Sequence, residues 1–252
     1  KNDYKINKVT EMIGSFKAVL FYPDDLSLVK DGPEERRGFL NVAASVCYPL
    51  YIRYYSDYKK ALENRNCILK MMQKGLYVDR YELDSWSASM AEYASYIHLF
   101  RKEYIEKLKK YASVILKEIS DGNEELSLIY ESHIPEDMNE RAKIKEEYQR
   151  IFSSSLDREI AAGVTLFGPH RDDIEIKING KSARSFASQG QQRSIVLALK
   201  LSEGEVIKEI SGEYPVFLFD DVLSELDEKR RKYILSGIGD RQIIITSCDP
   251  DE

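Results

Sequence analysis

The sequence predicts an α/β fold in which a helical lobe is combined with a partial parallel sheet and a β-hairpin. Residues 26–154 show mainly helical periodicity, and the dipeptide Asn179-Gly180 separates two segments of alternating apolar and polar residues. Near the end of the chain, two apolar strands flank a helical segment. Asn-Gly loops are typical of hairpins, and strand, helix and strand in succession indicate a right-handed unit of a parallel sheet.

The first half of the chain predicts one short strand followed by helices. "KAVLFYPD" (residues 17–24) is typical of a buried strand that stops at Pro23. Helices are expected over 26–58, over 59–75 and from 135 or 137 to 153. The longest helix carries apolar residues three and four positions apart, which predicts packing in a bundle rather than a ligand site: Trp86, Met90, Tyr93, Ile97, Phe100, Tyr104, Leu108, Tyr111 and Ile115.

The second half predicts the hairpin and the parallel sheet. The segment "DIEIKI-NG-KSARSF" predicts the hairpin, and residues 191–210 predict a helix. The segment "YPVFLFDD" then predicts a central strand. It is followed by a predicted helix, "SELDEKRRKYILSGI", and a further predicted strand, "RQIIITS". The "GKS" at residues 180–182 resembles the end of a phosphate-binding loop, but Glu175 stands where that loop needs a glycine. The sequence contains no Walker A motif.

Composition narrows the class of protein. The chain has 252 residues, 43% of them apolar and 32% charged, with a formal net charge of −6, which predicts one large domain or two smaller ones and excludes a protein that is basic all over. Cys47, Cys67 and Cys248 lie far apart, which suggests a reducing cytoplasm without disulfides or a zinc site. No segment is typical of a membrane span or a signal peptide. The chain begins at Lys1, and we expect it to be part of a longer protein.

The segment "SQGQQR" (residues 188–193) stands directly before an apolar helical pattern. Ser188 and Gln191 match a capping box, and Gly190 allows another backbone to come close. Unpaired N–H groups and the positive end of the helix dipole would face a ligand there, and Arg193 adds a charge one turn into the helix. From these six residues alone, an anion-binding helix start and an ordinary surface cap are equally good interpretations.

Two carboxylates follow the apolar strand "VFLF". Ligands of a parallel sheet bind just beyond the carboxyl ends of its strands. Asp220 there suits a hard cation such as Mg²⁺, and the adjacent Asp221 suits the orientation or deprotonation of a water molecule. The alternative is that both residues only end the strand.

Two weaker elements lie beside these carboxylates. Ser224 and Asp227 match a second capping box, and Thr246 and Ser247 end the next strand. The four elements together have the order of an ABC-type ATPase: signature loop, helix, Walker B strand with two acids, D-loop and switch strand. The predicted fold is therefore an ABC-type ATPase head with an inserted helical lobe. We expect residues 1–25 to end the first ATPase segment, 26–162 to form the helical lobe, and 163–252 to carry the hairpin, the signature helix and Walker B.

Over nearly its whole length the sequence resembles the RecF family of recombination and repair proteins. Four segments carry the resemblance: "FYPDDLSLVKDGPEERRGFLN" (21–41), "GVTLFGPHRDD" (163–173), "SQGQQR" (188–193) and "DDVLSELDEKRR" (220–231). "GPHRDD" followed by a hairpin and "SQGQQR" is specific to that family. The short helical insertion also fits it, whereas SMC-type relatives carry a long coiled coil.

The resemblance implies an ATP- and Mg²⁺-dependent protein that dimerises around two ATP molecules and binds double-stranded and gapped DNA in the cytoplasm. It implies a role in replication, recombination and the SOS response, in which RecO and RecR act with it to direct RecA loading at single-strand gaps. A weak ATPase is expected for the full-length dimer and not for this chain alone, because the Walker A segment is missing from it.

The resemblance also implies roles for individual residues. Asp220 would hold Mg²⁺ and Asp221 would position the attacking water. The signature residues would contact ATP held by the other subunit: Ser188, Gln189, Gly190, Gln191, Gln192 and Arg193. Ser224 and Asp227 would lie in the D-loop across the dimer interface, and Thr246 and Ser247 in the switch. His170 and Arg171 mark the family without an assigned role.

Two other classes of protein compete with this interpretation. One is a helical scaffold or interaction module whose caps are only caps. The other is a hydrolase that uses His170 with an aspartate, but no nucleophile elbow accompanies it. Two basic clusters are candidates for contact with DNA phosphates. They are Arg36 with Arg37, and Lys107 with Lys109 and Lys110. The alternative for each cluster is a solvated helix face.

Overall fold

A computed structural model of the chain describes residues 16–221, 226–236, 239 and 241–246. Within these residues the chain forms two compact units. Unit 1 takes the described residues within 16–47, 104–129 and 174–246, and unit 2 takes 48–103 and 130–173. Each unit thus combines segments that are distant in sequence. The predicted division at residues 25 and 162 follows sequence motifs instead, and it stays a prediction.

The elements alternate between helices and short strands. The strands are β1 (Ala18–Phe21), β2 (Leu126–Glu131), β3 (Asp173–Ile178), β4 (Lys181–Ser182), β5 (Val216–Asp220) and β6 (Ile243–Thr246). The helices are α1 (Ser27–Lys30), α2 (Pro33–Cys47), α3 (Tyr51–Gln73), α4 (Arg80–Ile119), α5 (Arg141–Ser154), α6 (Leu156–Ala162), α7 (Ala183–Phe186), α8 (Gln189–Ser211) and α9 (Glu228–Ser236). Among the described residues, no helix has the length and apolar character that crossing a membrane requires.

Unit 1 contains the predicted parallel sheet. Its strand order is β1-β5-β6, with Phe21 paired to Phe219 and Asp220 paired to Thr246. The rings of Phe21 and Phe219 meet edge to face at 5.8 Å on the buried side. Aromatic and β-branched residues favour such a pleated, packed surface. The sheet therefore confirms the three strands expected from the apolar runs and brings their carboxyl ends to one edge.

The second sheet of unit 1 contains the predicted hairpin. Its strand order is β2-β3-β4, and Lys177 pairs with Ser182 across the turn. Asn179 and Gly180 have φ values of 49° and 75°, as a two-residue hairpin turn requires. The second arm is shorter than predicted, because the chain leaves the sheet after two residues and forms α7.

Strand β2 lies in the stretch that was expected to be helical, so the helical prediction is wrong there. Asp121 and Gly122 take left-handed φ values of 53° and 80° and end α4. Leu126 and Leu128 then alternate with less buried residues, which is the period of a strand. The sequence carried this signal in "DGNEELSLIY", where a turn pair precedes an alternating segment.

Two prolines explain why the predicted helix over 26–58 is wrong. The chain instead forms α1, α2 and the start of α3. Pro33 opens α2, where its missing N–H has no helical partner to lose. Pro49 disfavours helical backbone at the residue before it, so α2 ends at Cys47 and α3 begins at Tyr51. Helix α5 likewise begins at Arg141 rather than at 135 or 137.

Unit 2 is built around a buried ion pair. The guanidinium of Arg65 on α3 lies 2.6 Å from a carboxylate oxygen of Glu159 on α6, and both side chains are buried. Arg65 also donates to the hydroxyls of Thr165 and Ser87 at 2.8 and 2.9 Å. A buried charge of this kind is tolerated only when it is paired and hydrogen-bonded. This one ties the loop after α6 to the helices of unit 2.

Helix α8 is largely buried, since 14 of its 23 residues are covered by neighbouring parts of the fold. At Gly204 it meets the ring of Phe217 on β5 so closely that an added Cβ would lie 2.1 Å from Cζ of that ring. No real side chain tolerates that distance. Gly204 therefore allows the helix to lie directly against the strand that ends in the two acids.

Replacement of Gly204 tests this packing. Gly204→Ala should lower the free energy of unfolding by about 2–3 kcal/mol, because the methyl group must displace an aromatic ring in a packed core. Gly38→Ala is the matched control: Gly38 lies within α2 with nothing near its Cβ position, so alanine there should raise stability by up to about 1 kcal/mol. Urea unfolding measures both. Equal midpoints for Gly204→Ala and the unmodified chain would contradict the close approach.

Candidate functional site

Three residues predicted from the sequence meet at the carboxyl edge of the parallel sheet. The Thr246 hydroxyl donates to a carboxylate oxygen of Asp220 at 2.6 Å. The backbone N–H of Asp221 donates to the carbonyl and to the hydroxyl oxygen of Thr246, at 3.1 and 3.2 Å. Asp220 and Thr246 are exposed. Thr246 thus orients the carboxylate of Asp220 and holds the backbone of Asp221.

Asp221 has an unusual backbone. Its φ of 52° places it in the left-handed region, which non-glycine residues occupy rarely and aspartate more readily than most. Such conformations cost free energy, and they concentrate at functional sites. The hydrogen bonds from the Asp221 N–H to Thr246 hold this conformation at the end of β5.

The segment "SQGQQR" (residues 188–193) forms the predicted capping box. The Ser188 hydroxyl accepts from the N–H of Gln191 at 3.3 Å, and the Ser188 N–H donates to the Gln191 side-chain oxygen at 2.9 Å. The Gln192 side chain donates to the carbonyl of Ala187 at 3.0 Å, which closes the turn before the helix. Ser188 and Gln189 are exposed. The start of α8 is therefore capped, and its first residues are exposed at the positive end of the helix dipole.

Asp227 caps α9. One oxygen of its carboxylate accepts from the N–H of Arg230 at 2.9 Å, and the helix begins at the residue after Asp227. Asp227 therefore occupies the cap position that was expected for Ser224. The predicted site residues Ser224 and Ser247 lie outside the described residues.

Arg230 is a site residue that sequence reasoning missed. Its guanidinium donates to the carbonyl of Gly190 at 3.0 Å and to the hydroxyl of Ser194 at 2.6 and 2.9 Å. "DEKRR" shows an arginine one turn into a helix, but no sequence pattern shows that its side chain reaches a second helix.

A buried cluster of two acids and one base was also missed. Lys200 on α8 places its ammonium 3.5 Å from Asp25 and 3.7 Å from Glu203. Asp25 follows β1 and accepts from the N–H of Tyr22 at 3.0 Å. Burial raises the pKa of both carboxyls, although Lys200 acts in the opposite direction. Since one base faces two acids, the cluster is short of positive charge when all its members are ionised.

His170 in unit 2 serves as an anchor for its loop. The Tyr58 hydroxyl and one ring nitrogen of His170 are 2.6 Å apart, and the other ring nitrogen lies 3.2 Å from the carbonyl oxygen of Thr165. Tyr58 is fully buried, and burial holds the pKa of its hydroxyl well above the usual value. These contacts favour a structural role for His170 over the hydrolase alternative. The neighbouring Arg171 is exposed.

The basic residues considered for DNA are mostly engaged within unit 1. Arg36 is buried and donates to the carbonyls of Leu28 and Asp31 at 3.1 and 3.0 Å, which favours a structural role. Arg37 is half-buried.

In the second basic cluster, Lys107 forms an ion pair with Glu209, and Lys110 lies 4.0 Å from the same carboxylate. Lys109 is exposed. These pairs favour a solvated helix face over a phosphate-binding surface.

The parallel sheet with two acids at the end of β5, the threonine beside them and the capped helix start define an ABC-type ATPase head with a helical insertion. No family model matches the sequence. The DNA replication and repair protein RecF of Clostridium kluyveri is 39% identical over 251 residues, which cover 100% of this chain and 67% of that protein. The chain belongs to the RecF family of DNA replication and repair proteins, and it spans about two thirds of the length of its relatives.

Two solved structures agree with this assignment. They are described as the recombination mediator protein RecF-ATPrS and RecF-ATP in the RecFOR pathway, and each is 38% identical to the chain. Their TM-scores are 0.91 and 0.90, over 99% and 100% of this chain and 67% of each neighbour. The RecF resemblance and the ABC-type fold expected from the sequence are thereby confirmed.

The buried cluster predicts a pH dependence of stability. Burial raises the pKa of the Glu203 carboxyl in the folded state. The contribution of Glu203 to the free energy of unfolding is therefore fully present below the unfolded pKa of 4.5, and it is lost as the pH rises through the folded pKa. Glu203→Gln should therefore raise the urea midpoint at pH 7.5, and the difference should vanish near pH 4.5.

Glu209 on the same helix is the control with the opposite sign. Lys107 and Tyr111 hold the pKa of the Glu209 carboxyl below its usual value, so its stabilisation is present at neutral pH and is lost on acidification. Glu209→Gln should lower the midpoint at pH 7.5. If both variants move the midpoint in the same direction, the assignment of the buried cluster is incorrect.

Proposed function

We propose that this chain forms the signature and Walker B part of an ATP-gated recombination mediator. In the whole protein, ATP bound between two subunits would allow binding to double-stranded and gapped DNA. RecO and RecR would then act with it to direct RecA loading at single-strand gaps. The observation that carries the proposal is the junction of Asp220, Asp221 and Thr246 at the edge of the parallel sheet. The RecF-ATP and RecF-ATPrS neighbours support it.

Asp220 is the residue that would hold Mg²⁺. Its exposed carboxylate is oriented by the Thr246 hydroxyl. Among the described residues, no group of three or more His, Cys, Asp or Glu side chains is placed to hold a metal ion. This fits Mg²⁺, which usually takes one or two carboxylates together with water and substrate phosphates. When bound, the ion would supply positive charge against the phosphate oxygens.

Asp221 would act on the attacking water. Its backbone is fixed by Thr246, and its half-buried carboxylate follows the metal-binding acid directly. An ionised carboxylate within hydrogen-bond reach of a water molecule can orient it or accept its proton. The resemblance to the wider group of ABC-type ATPases implies that a glutamate often stands at this position, and the shorter aspartate is compatible with slow turnover.

The start of α8 would contact ATP held by a second subunit. The N–H of Gln191 is taken by the Ser188 hydroxyl, whereas the first N–H groups of a helix have no partner within it. Such N–H groups form a ready site for phosphate. The resemblance to RecF proteins implies that the phosphate that meets them is held by the other subunit of a dimer closed around ATP.

Ser188→Arg in a full-length RecF protein that carries this chain tests the proposal. ATP binding by the monomer should stay nearly intact, while the ATP-dependent dimer and DNA binding should be lost, because a bulky side chain occupies the phosphate position. Loss of the cap costs only about 1 kcal/mol of helix stability, and circular dichroism should show a folded protein. Sedimentation with and without ATP measures the dimer.

Ser154→Arg is the matched control, since it adds the same charge at an exposed helical position of unit 2. This variant should dimerise normally. Full ATP-dependent dimerisation by the Ser188→Arg variant would contradict the proposal and show that "SQGQQR" is only a helix cap.

A further inference from the structure

One arginine joins two segments of the proposed dimer surface. Arg230 on α9 donates from Nη2 to the carbonyl of Gly190 at 3.0 Å, and from Nη2 and Nε to the hydroxyl of Ser194 at 2.6 and 2.9 Å. Ser194 is buried, and only 19% of the Arg230 side chain is exposed. The first turn of α8, which carries the signature, is therefore held from outside its own helix.

The same guanidinium also binds the D-loop end of its own helix. Nη1 of Arg230 forms an ion pair with Asp227, while the backbone N–H of Arg230 donates to the other oxygen of that carboxylate at 2.9 Å. Asp227 is thus fixed by the side chain and the backbone of one residue. Through Arg230, Asp227 and Gly190 belong to one hydrogen-bonded group.

General helix electrostatics do not explain this arrangement. A cation near the N-terminus of a helix is opposed by the helix dipole. Arg230 stays there because its planar fork reaches a carbonyl, a hydroxyl and a carboxylate at once. Hydrogen bonds from a charged donor are roughly twice as strong as neutral ones.

We propose that Arg230 is a positioning residue that fixes the signature turn of α8 relative to Asp227, so that both meet the second subunit as one preformed surface. The inference rests on the proposed function, because that function places both segments at the dimer interface. Loss of Arg230 would leave the monomer's own ATP contacts intact and would impair the step that needs two subunits.

The first part of the test needs no nucleotide. Amide hydrogen exchange is measured for the start of α8 in full-length protein carrying Arg230→Gln, with Lys232→Gln as control. Lys232 is exposed on the same helix and loses the same charge. Arg230→Gln should speed exchange of the amides of residues 191–194 at least tenfold, and Lys232→Gln should leave it unchanged. Unchanged exchange in Arg230→Gln would overturn the proposal.

The second part measures the consequence. Arg230→Gln should raise the dissociation constant of the ATP-dependent dimer and lower kcat for ATP hydrolysis at least tenfold each, with ATP binding by the monomer within twofold of the wild type. Arg230→Lys should restore little, because an ammonium lacks the fork. Equal dimerisation by wild type and Arg230→Gln would overturn the positioning role.

A second variant and the behaviour of the wild type distinguish a folding defect of Arg230→Gln from failure of the proposed function. Ser194→Ala removes a buried acceptor without touching the charge, so it should shift exchange and dimerisation in the same direction by a smaller factor, even if Arg230→Gln folds poorly. No shift in Ser194→Ala would count against the proposal. A wild-type protein that stays monomeric with ATP contradicts the proposed function itself, and exchange then decides alone whether Arg230 holds α8.

Discussion

Helix α8 lies against β5 so closely that only a glycine fits where the ring of Phe217 meets it. This contact links two rigid elements whose ends carry the candidate chemistry. The helix begins at the capped Ser188, and the strand ends at Asp220. The packing at Gly204 therefore places the helix that begins at Ser188 directly against the strand that ends in the two acids. A densely packed interior transmits such a constraint well.

The site is held in place at a cost in stability. Asp221 adopts a left-handed backbone, and Lys200 shares the interior with two acids rather than one. Buried ion pairs are seldom net stabilising, since desolvation opposes their mutual attraction. Strained backbone also persists only where its surroundings enforce it, which the bonds from Thr246 do here. The unfavourable terms lie along α8 and at the end of β5, the elements that carry the site.

Local signals in the sequence predicted local structure well. Asn179-Gly180 gave the hairpin turn, and Ser188 with Gln191 gave the cap of α8, because each depends on residues within four positions. The break at Pro49 was also readable, but the helical periodicity around it outweighed it. Contacts across the fold were not predictable: Arg230 reaches α8 across 36 positions, and the burial of Arg36 depends on carbonyls that only the folded chain presents. Sequence patterns can identify candidate residues of a site, whereas tertiary packing determines which of them come into contact.

In the proposed dimer, the start of α8 serves ATP held by the other subunit, while Asp221 serves ATP held by its own. Mixing two inactive full-length proteins, Ser188→Arg and Asp221→Asn, tests both roles at once. In a mixed dimer, one composite site would combine an intact Asp221 with an intact signature from the partner, and the other site would have neither. ATP hydrolysis should therefore reappear on mixing, at up to half of the wild-type rate per mixed dimer. If mixed dimers form and remain inactive, both groups act within one subunit, which would contradict the proposed division of roles between the two subunits.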